Sequence, residues 1–269
     1  MASPQQPPPP AADPQASQAG LAIALASSIA LLWPMLQLTE LRVALPAFKA
    51  AIAREIQRHA RASATLAVQQ YRRQRAAAGV GGVFTPVPAD PPPVEQIAQS
   101  VDWAVQPLWN ANVASSLGAP SVPVPSEAPP AGSAIADAKA RLAASAERLV
   151  LDAGRDTVIA NVKRDRRAKG WARIVEPQAC SFCLMLATRG AVYKEHSFDR
   201  ANARFTGSGE FKTHDNCRCH AEPVFTAYEP SAEIRHAEQL WATSTRGLSG
   251  KAARIAFRRA VEGRTAPSQ

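Results

Sequence analysis

Cys180-Ser-Phe-Cys183 and His214-Asp-Asn-Cys217-Arg-Cys219-His220 hold all four cysteines of the chain. Zinc takes four nitrogen or sulfur ligands at tetrahedral corners, and two turns that each present two ligands are the usual way to supply them. A C-x-x-C turn points both sulfurs the same way, and H-x-x-C does the same with a nitrogen and a sulfur. Cys180, Cys183 and Cys217 are therefore read as metal ligands, with His214 or Cys219 as the fourth. The spacing favours His214, because a single residue between Cys217 and Cys219 closes a turn less easily. Four protein ligands leave no open position, so the expected metal is structural zinc. Two other uses of the cysteines stay open: a pair of disulfides, which needs an oxidising compartment, and free thiols. No basic residue precedes the first apolar run, so no secretory signal is read. No βαβ pattern surrounds Cys180 to suggest a redox C-x-x-C.

The flanks of the two turns predict a small mixed module over residues 171–228. Trp171 to Glu176 reads as a short strand, and Leu184 to Gly190 as one or two helical turns stopped by glycine. Ala191 to Lys194 reads as another strand, Thr206 to Gly209 as an exposed turn, and Ala221 to Phe225 as the way out. This unit has little apolar mass, so metal binding is expected to supply much of its stability.

Outward from the module the chain reads as helical. Of 269 residues, 46% are hydrophobic but only 6% aromatic, so alanine carries much of the apolar content and small-faced helices are favoured. Most of the 23 prolines are concentrated at residues 4–14, 86–93 and 120–130, which cannot be helix interiors. Residues 1–18 are read as a disordered Pro-rich tail and 19–82 as N-terminal helices. Within these, Gly20 to Leu38 is uncharged and nearly long enough to span a bilayer. Its alanines and serines, Pro34 and the missing basic flank favour a helix buried in a bundle or oligomer, with no stable membrane insertion. From Thr39 to Ala78, Leu41, Leu45, Phe48, Ile52, Ile56, Leu66 and Tyr71 mark one face of a long helix. That helix is opened or kinked near Pro46 and ended by Gly79-Val-Gly-Gly82. Arg54, Arg58, Arg61, Arg72, Arg73 and Arg75 are read as its solvated face.

Residues 83–132 are read as Pro-rich linkers around a short helix, Val94 to Leu117, carrying Trp103 and Trp109. A long helix over 133–170 follows, with Ile135, Leu142, Leu149, Val150, Val158, Ile159 and Val162 as its stripe. It runs into the basic cluster Lys163 to Lys169, and Gly170 is read as its stop. After the module, residues 229–269 are read as a basic helix, Ser249 to Glu262, and a tail. The fold class is mainly α: a helical bundle or long helical hairpins, then a small α+β zinc-knuckle module and a C-terminal helix.

The formal charge of +9 predicts an anionic partner, nucleic acid by default. The segments Gly154-Arg-Asp-Thr-Val158, Asp165 to Arg173, Cys180 to Tyr193, His214 to Cys219 and Glu222-Pro-Val-Phe225 carry a more specific likeness. With Phe257 to Gly263, they resemble the MuF-like minor capsid (head morphogenesis) proteins of actinobacteriophages, a family often labelled capsid maturation protease. The resemblance is strongest over residues 150–226 and weaker over 20–80. It departs at Glu195–Lys212, which looks like an insertion, and at His220. It implies a few copies per virion inside the head near the portal, contacts with portal and major capsid proteins, and assembly in the host cytoplasm. Packaged double-stranded DNA is the expected partner of the basic surfaces.

The protease label implied by the resemblance finds little among the residues. Neither a Gly-x-Ser-x-Gly elbow nor an H-E-x-x-H helix is present. His196, Ser197 and Asp199 are the one compact Ser/His/Asp group, but near-adjacent residues in a polar loop rarely make a working dyad. A structural role is favoured over catalysis. A zinc-dependent, sequence-specific DNA regulator is disfavoured because no recognition helix has the finger spacing.

Overall fold

A computed structural model describes residues 14–36, 40–116, 131–176, 179–191 and 211–265. Helix α1 (Pro14–Leu32) and a single 3-10 turn (Trp33–Met35) precede α2 (Leu41–Ala77), α3 (Val94–Ser116) and α4 (Ala131–Arg164). These form the bundle. Two short strands, β1 (Gly170–Ile174) and β2 (His220–Val224), flank helix α5 (Ser181–Ala187) in sequence, and α6 (Ala232–Ser244) and α7 (Gly250–Thr265) complete the described chain. The molecule is mainly helical with a small mixed module, as the apolar periodicity and the paired turns predict.

The bundle core follows from side-chain spacing. Leu41, Leu45, Phe48, Ile52 and Ile56 of α2 lie on one face and are buried against Val101, Val105, Leu142, Leu149 and their neighbours. Farther along α2 the inward positions become Ala60, Ala64 and Ala67, so α4 comes closer. Leu66 is only half-buried. At the crossing, a Cβ added to Gly154 would lie 2.7 Å from Ser63 Oγ and 3.3 Å from Gln18 Nε2. Gly154→Ala is therefore expected to destabilise despite alanine's better helix propensity, by about 1–3 kcal/mol. Urea unfolding checks this, and a rise in stability would show that the crossing relaxes freely.

Several boundaries differ from the sequence reading, each for a local reason. Helix α1 begins at Pro14, inside the segment read as tail. Its inner edge, Leu25 and Ile29, is buried, but Ile23 is 70% and Leu31 82% exposed, so the expected burial holds for one edge only. Residues Ser17–Met35 are long and apolar enough to cross a membrane, with mean hydropathy 1.5. Pro46 lies inside α2 and neither opens nor ends it. It is exposed, as is Arg42, so the carbonyl it leaves without a partner faces water. Helix α2 ends at the predicted glycines: Gly79 adopts φ +64°, and Val80 N donates to Arg75 O at 3.2 Å.

Helix α4 stops at Arg164, and Gly170 opens β1 instead of capping a helix. The cause is Asp165. This buried carboxylate accepts from Arg75 Nε at 3.0 Å, from Tyr71 Oη at 3.3 Å and from the Arg167 amide at 3.0 Å. The chain is thereby turned out of helix. Arg75 consequently does not belong to a solvated face, since it also donates to the carbonyls of Val80, Gly81 and Gly82. The Pro-rich connector is likewise strapped to α4. Asn161 exchanges hydrogen bonds with Val87 through its side-chain amide at 2.9 and 2.7 Å, and Thr157 Oγ1 accepts from Ala89 N at 2.9 Å.

The C-terminal region contains two helices where one was expected. Ser231 caps α6 by accepting from Ile234 N, and Gly247, at φ +73°, turns the chain toward α7. Trp241 then packs edge-on against Phe257, centroids 5.1 Å apart. The signal was present: Ser231, then Ile234, Ala237 and Trp241 at helical spacing.

Candidate metal centre

The β1–β2 ribbon brings the two turns together. The strands pair antiparallel from Gly170 opposite Val224 to Ile174 opposite His220, so both turns emerge from the same end. On the first side Cys180 is the N-cap of α5, its sulfur accepting from the Cys183 amide at 3.5 Å. The C-x-x-C spacing thus becomes one helical turn. On the second side Cys217 N donates to His214 O at 3.1 Å, and Asn216 takes the left-handed conformation at φ +64°, which asparagine tolerates.

Five donors converge. Cys180, Cys183 and His214 have their ligand atoms within 4.8 Å of one another, and so have Cys183, Cys217 and Cys219. Cys183 belongs to both groups. Zinc bonds of about 2.3 Å to sulfur and 2.0–2.1 Å to nitrogen place tetrahedral ligands about 3.8 Å apart for S···S and about 3.6 Å for S···N. Cys183 Sγ lies 3.6 Å from Cys217 Sγ and 3.5 Å from His214 Nε2, while Cys180 Sγ is 3.1 Å from the same nitrogen. The donor set fits zinc. All four cysteines are free, and 3.6 Å between sulfurs is far beyond the disulfide length of about 2.05 Å.

The tautomer of His214 is set by its surroundings. Its Nδ1–H donates to Asp215 O at 2.7 Å, which leaves the Nε2 lone pair facing the sulfurs. Asp215 is held in turn by Arg148 Nε at 2.9 Å. Among the sulfurs, the shifts alternate in direction. Hydrogen bonding from Cys183 is the largest effect lowering Cys180, to about 5, with the Cys183 amide and His214 helping and burial opposing. Hydrogen bonds from Cys183 and Cys219 also hold Cys217 well below the usual thiol value, and Arg155 adds to this. Cys183, the donor in these bonds, is pushed up by Cys180, Cys217 and Cys219. For Cys219 a hydrogen bond with Cys183 lowers the value, but Cys217 and burial outweigh it and push it up to about 11. A metal binding here displaces the protons that the sulfurs share.

Two buried guanidiniums back this anionic cluster. Arg173, on β1, donates to Cys183 Sγ at 3.8 Å and to Lys212 O at 2.7 Å, and stacks 3.6 Å from the Phe211 ring. Arg155, on α4, donates from Nε to Cys219 O at 2.8 Å, from Nη2 to Cys217 O, and from Nη1 to Asp152 at 2.7 Å. A zinc ion with three thiolates and a neutral imidazole carries one negative charge, and with four thiolates two, so the cations oppose the charge of either set. Neither arginine was singled out from the sequence. Their signal was a charge in an apolar register: Arg155 between Leu151 and Val158, and Arg173 two residues from both Trp171 and Val175.

All five predicted metal donors are brought together. His196, Ser197 and Asp199, the low-ranking catalytic candidates, lie outside the described residues, as does the strand expected from Ala191 to Lys194 beyond its first residue. Fold and site together define a helical bundle carrying a Cys/His knuckle, riveted to the bundle by a buried arginine. A family model described as VG15 protein matches residues 7–244, and the chain belongs to this phage-associated family. No curated protein and no solved structure matches it.

Proposed function

We propose that the protein is a structural minor capsid protein of a tailed phage, MuF-like, seated inside the head near the portal, with a zinc clamp fixing its C-terminal module. The observation that carries this reading is the convergence of five metal donors beside the β1–β2 ribbon, which itself packs on α4. A four-ligand shell there leaves no position for a substrate or a reactive water, so its role is to hold the module on the bundle. Family membership supports a phage setting, and the resemblance over residues 150–226 supports the head. Mass spectrometry of purified virions, before and after DNA ejection, is expected to find the protein at low copy among head components. Its absence from virions overturns the proposal. So does clean cleavage of cognate capsid or scaffold protein that is lost on replacing His196 or Ser197.

We assign the fourth zinc position to His214, whose imidazole is already aimed by Asp215. His214→Ala is expected to weaken zinc binding more than Cys219→Ser does, as measured by chelator competition. The reverse order would assign the position to Cys219.

Tyr71 and Arg75 bind Asp165, so the C-terminal end of α2 and the loop after α4 share one end of the bundle. Arg72, Arg73, Arg166, Arg167 and Lys169 are exposed there. This is the surface proposed to touch packaged DNA. Duplex binding is expected to ignore sequence and to weaken steeply with salt, with a shallower slope in Arg166→Glu/Arg167→Glu. An unchanged salt slope would remove DNA from this surface.

A further inference from the structure

A cleft of about 310 Å³ separates α5 from α7, between Phe182 and Met185 on one wall and Arg254, Ile255, Phe257 and Arg258 on the other. Its chemistry is divided. Phe257 is buried, Met185 and Ile255 are half-buried, and Phe182 is 37% exposed, so the floor is aromatic and aliphatic. The rim is cationic: Lys251, Arg254 and Arg258 are all exposed, and among the described residues no acidic side chain lines the cleft. Arg258 lies 3.7 Å from Glu262 one turn on, whereas Lys251 and Arg254 form no ion pair among the described residues. Helix α7 turns Ala253 and Phe257 inward, Phe257 packing in one cluster with Trp241, Cys183 and Cys217. Ile255 is left at the mouth.

We propose that this cleft docks an acidic peptide segment of a partner protein. One apolar side chain of the segment enters between Phe182 and Ile255, and its carboxylates pair with Lys251, Arg254 and Arg258. Charge complementarity selects the sign of the partner, and the floor selects its class. A phosphate backbone satisfies cations but leaves an apolar floor wet, whereas an amphipathic peptide covers both. The metal centre sets the width of the cleft, because α5 starts at Cys180 and contains Cys183. The cleft is separate from the basic end of the bundle, so the proposal stands whether or not that end touches DNA.

Fluorescence anisotropy on the full-length, zinc-loaded protein tests it with a labelled amphipathic helix about four turns long, glutamate on one face and leucine on the other. The matched probes have lysine for glutamate, serine for leucine, or are a DNA duplex of mixed sequence. Among the peptides only the Glu/Leu probe is expected to bind at moderate salt, and duplex binding, which belongs to the basic end of the bundle, is expected to be unchanged in the cleft variants. Ile255→Glu, and independently Lys251→Glu/Arg254→Glu, should each weaken it at least about tenfold. The double variant changes exposed residues only, and an unchanged thermal melt shows that it is folded. Equal binding by the folded double variant overturns the proposal. Equal binding of the serine peptide does so too, as does a loss confined to the duplex probe.

Discussion

Cys183→Ser is expected to empty the metal centre and release the C-terminal module while the bundle stays folded. Cys183 belongs to both donor groups and is buried, so without its sulfur each group keeps only a pair of donors. Serine is a poor zinc ligand, and apparent zinc binding in small zinc-stapled folds is worth about 10–16 kcal/mol at neutral pH. The strands keep their packing on the bundle through Trp171, Ala221 and Phe225, but the part beyond them depends on the metal. Its buried cluster is built from Cys183, Cys217 and Cys219 with Val175, Leu184, Ile234 and Phe257, and the sheet has two strands. The bundle core contains none of these residues. Zinc content is therefore expected to fall below about half an equivalent, and proteolysis should cut beyond β1 while α2 and α4 remain protected. Retention of a full equivalent, or an unchanged proteolytic pattern, would remove the metal from the account of the fold.

Arg155→Met is expected to give the second large effect, acting through both stability and metal affinity. The arginine is 3% exposed, and methionine keeps most of its bulk but none of its donors. The carbonyls of Cys217 and Cys219 and one oxygen of Asp152 then lose the guanidinium that binds them. Breaking a buried charged network from one side costs about 3–5 kcal/mol. Groups that orient metal ligands typically contribute about 10–100-fold in metal affinity. Lysine is not expected to rescue the variant, because a point charge cannot reach both carbonyls as the planar fork does. Urea unfolding and chelator competition check the two parts separately. A loss within about 1 kcal/mol, with unchanged zinc affinity, would make Arg155 a bystander.

The two predictions also show where reading residues in order succeeds. The four cysteines and His214 are legible because metal ligation requires particular atoms at particular spacings, and the chain writes both within short turns. Arg155 stands 64 positions before the carbonyl of Cys219 that it binds, and no local pattern announces such a partner. Arg75 is similar. By spacing it belongs with Arg72 and Arg73 on a solvated face, yet it folds back because Asp165, 90 residues on, offers a buried carboxylate. The same carboxylate moved the end of α4, where the run of basic residues alone reads as continuing helix.

Apolar periodicity determined the long helices, the glycines at 79–82 determined where α2 stops, and the ligand spacing determined the two halves of the metal centre. Each is a local rule, satisfied within a few turns of chain. Tertiary structure decided what is joined to what: the strap of residues 83–93 along α4, the α6–α7 pair closing the module, and Arg155 fastening knuckle to bundle. Those outcomes depend on burying polar groups that must find partners, and the partners become neighbours only after the chain has folded.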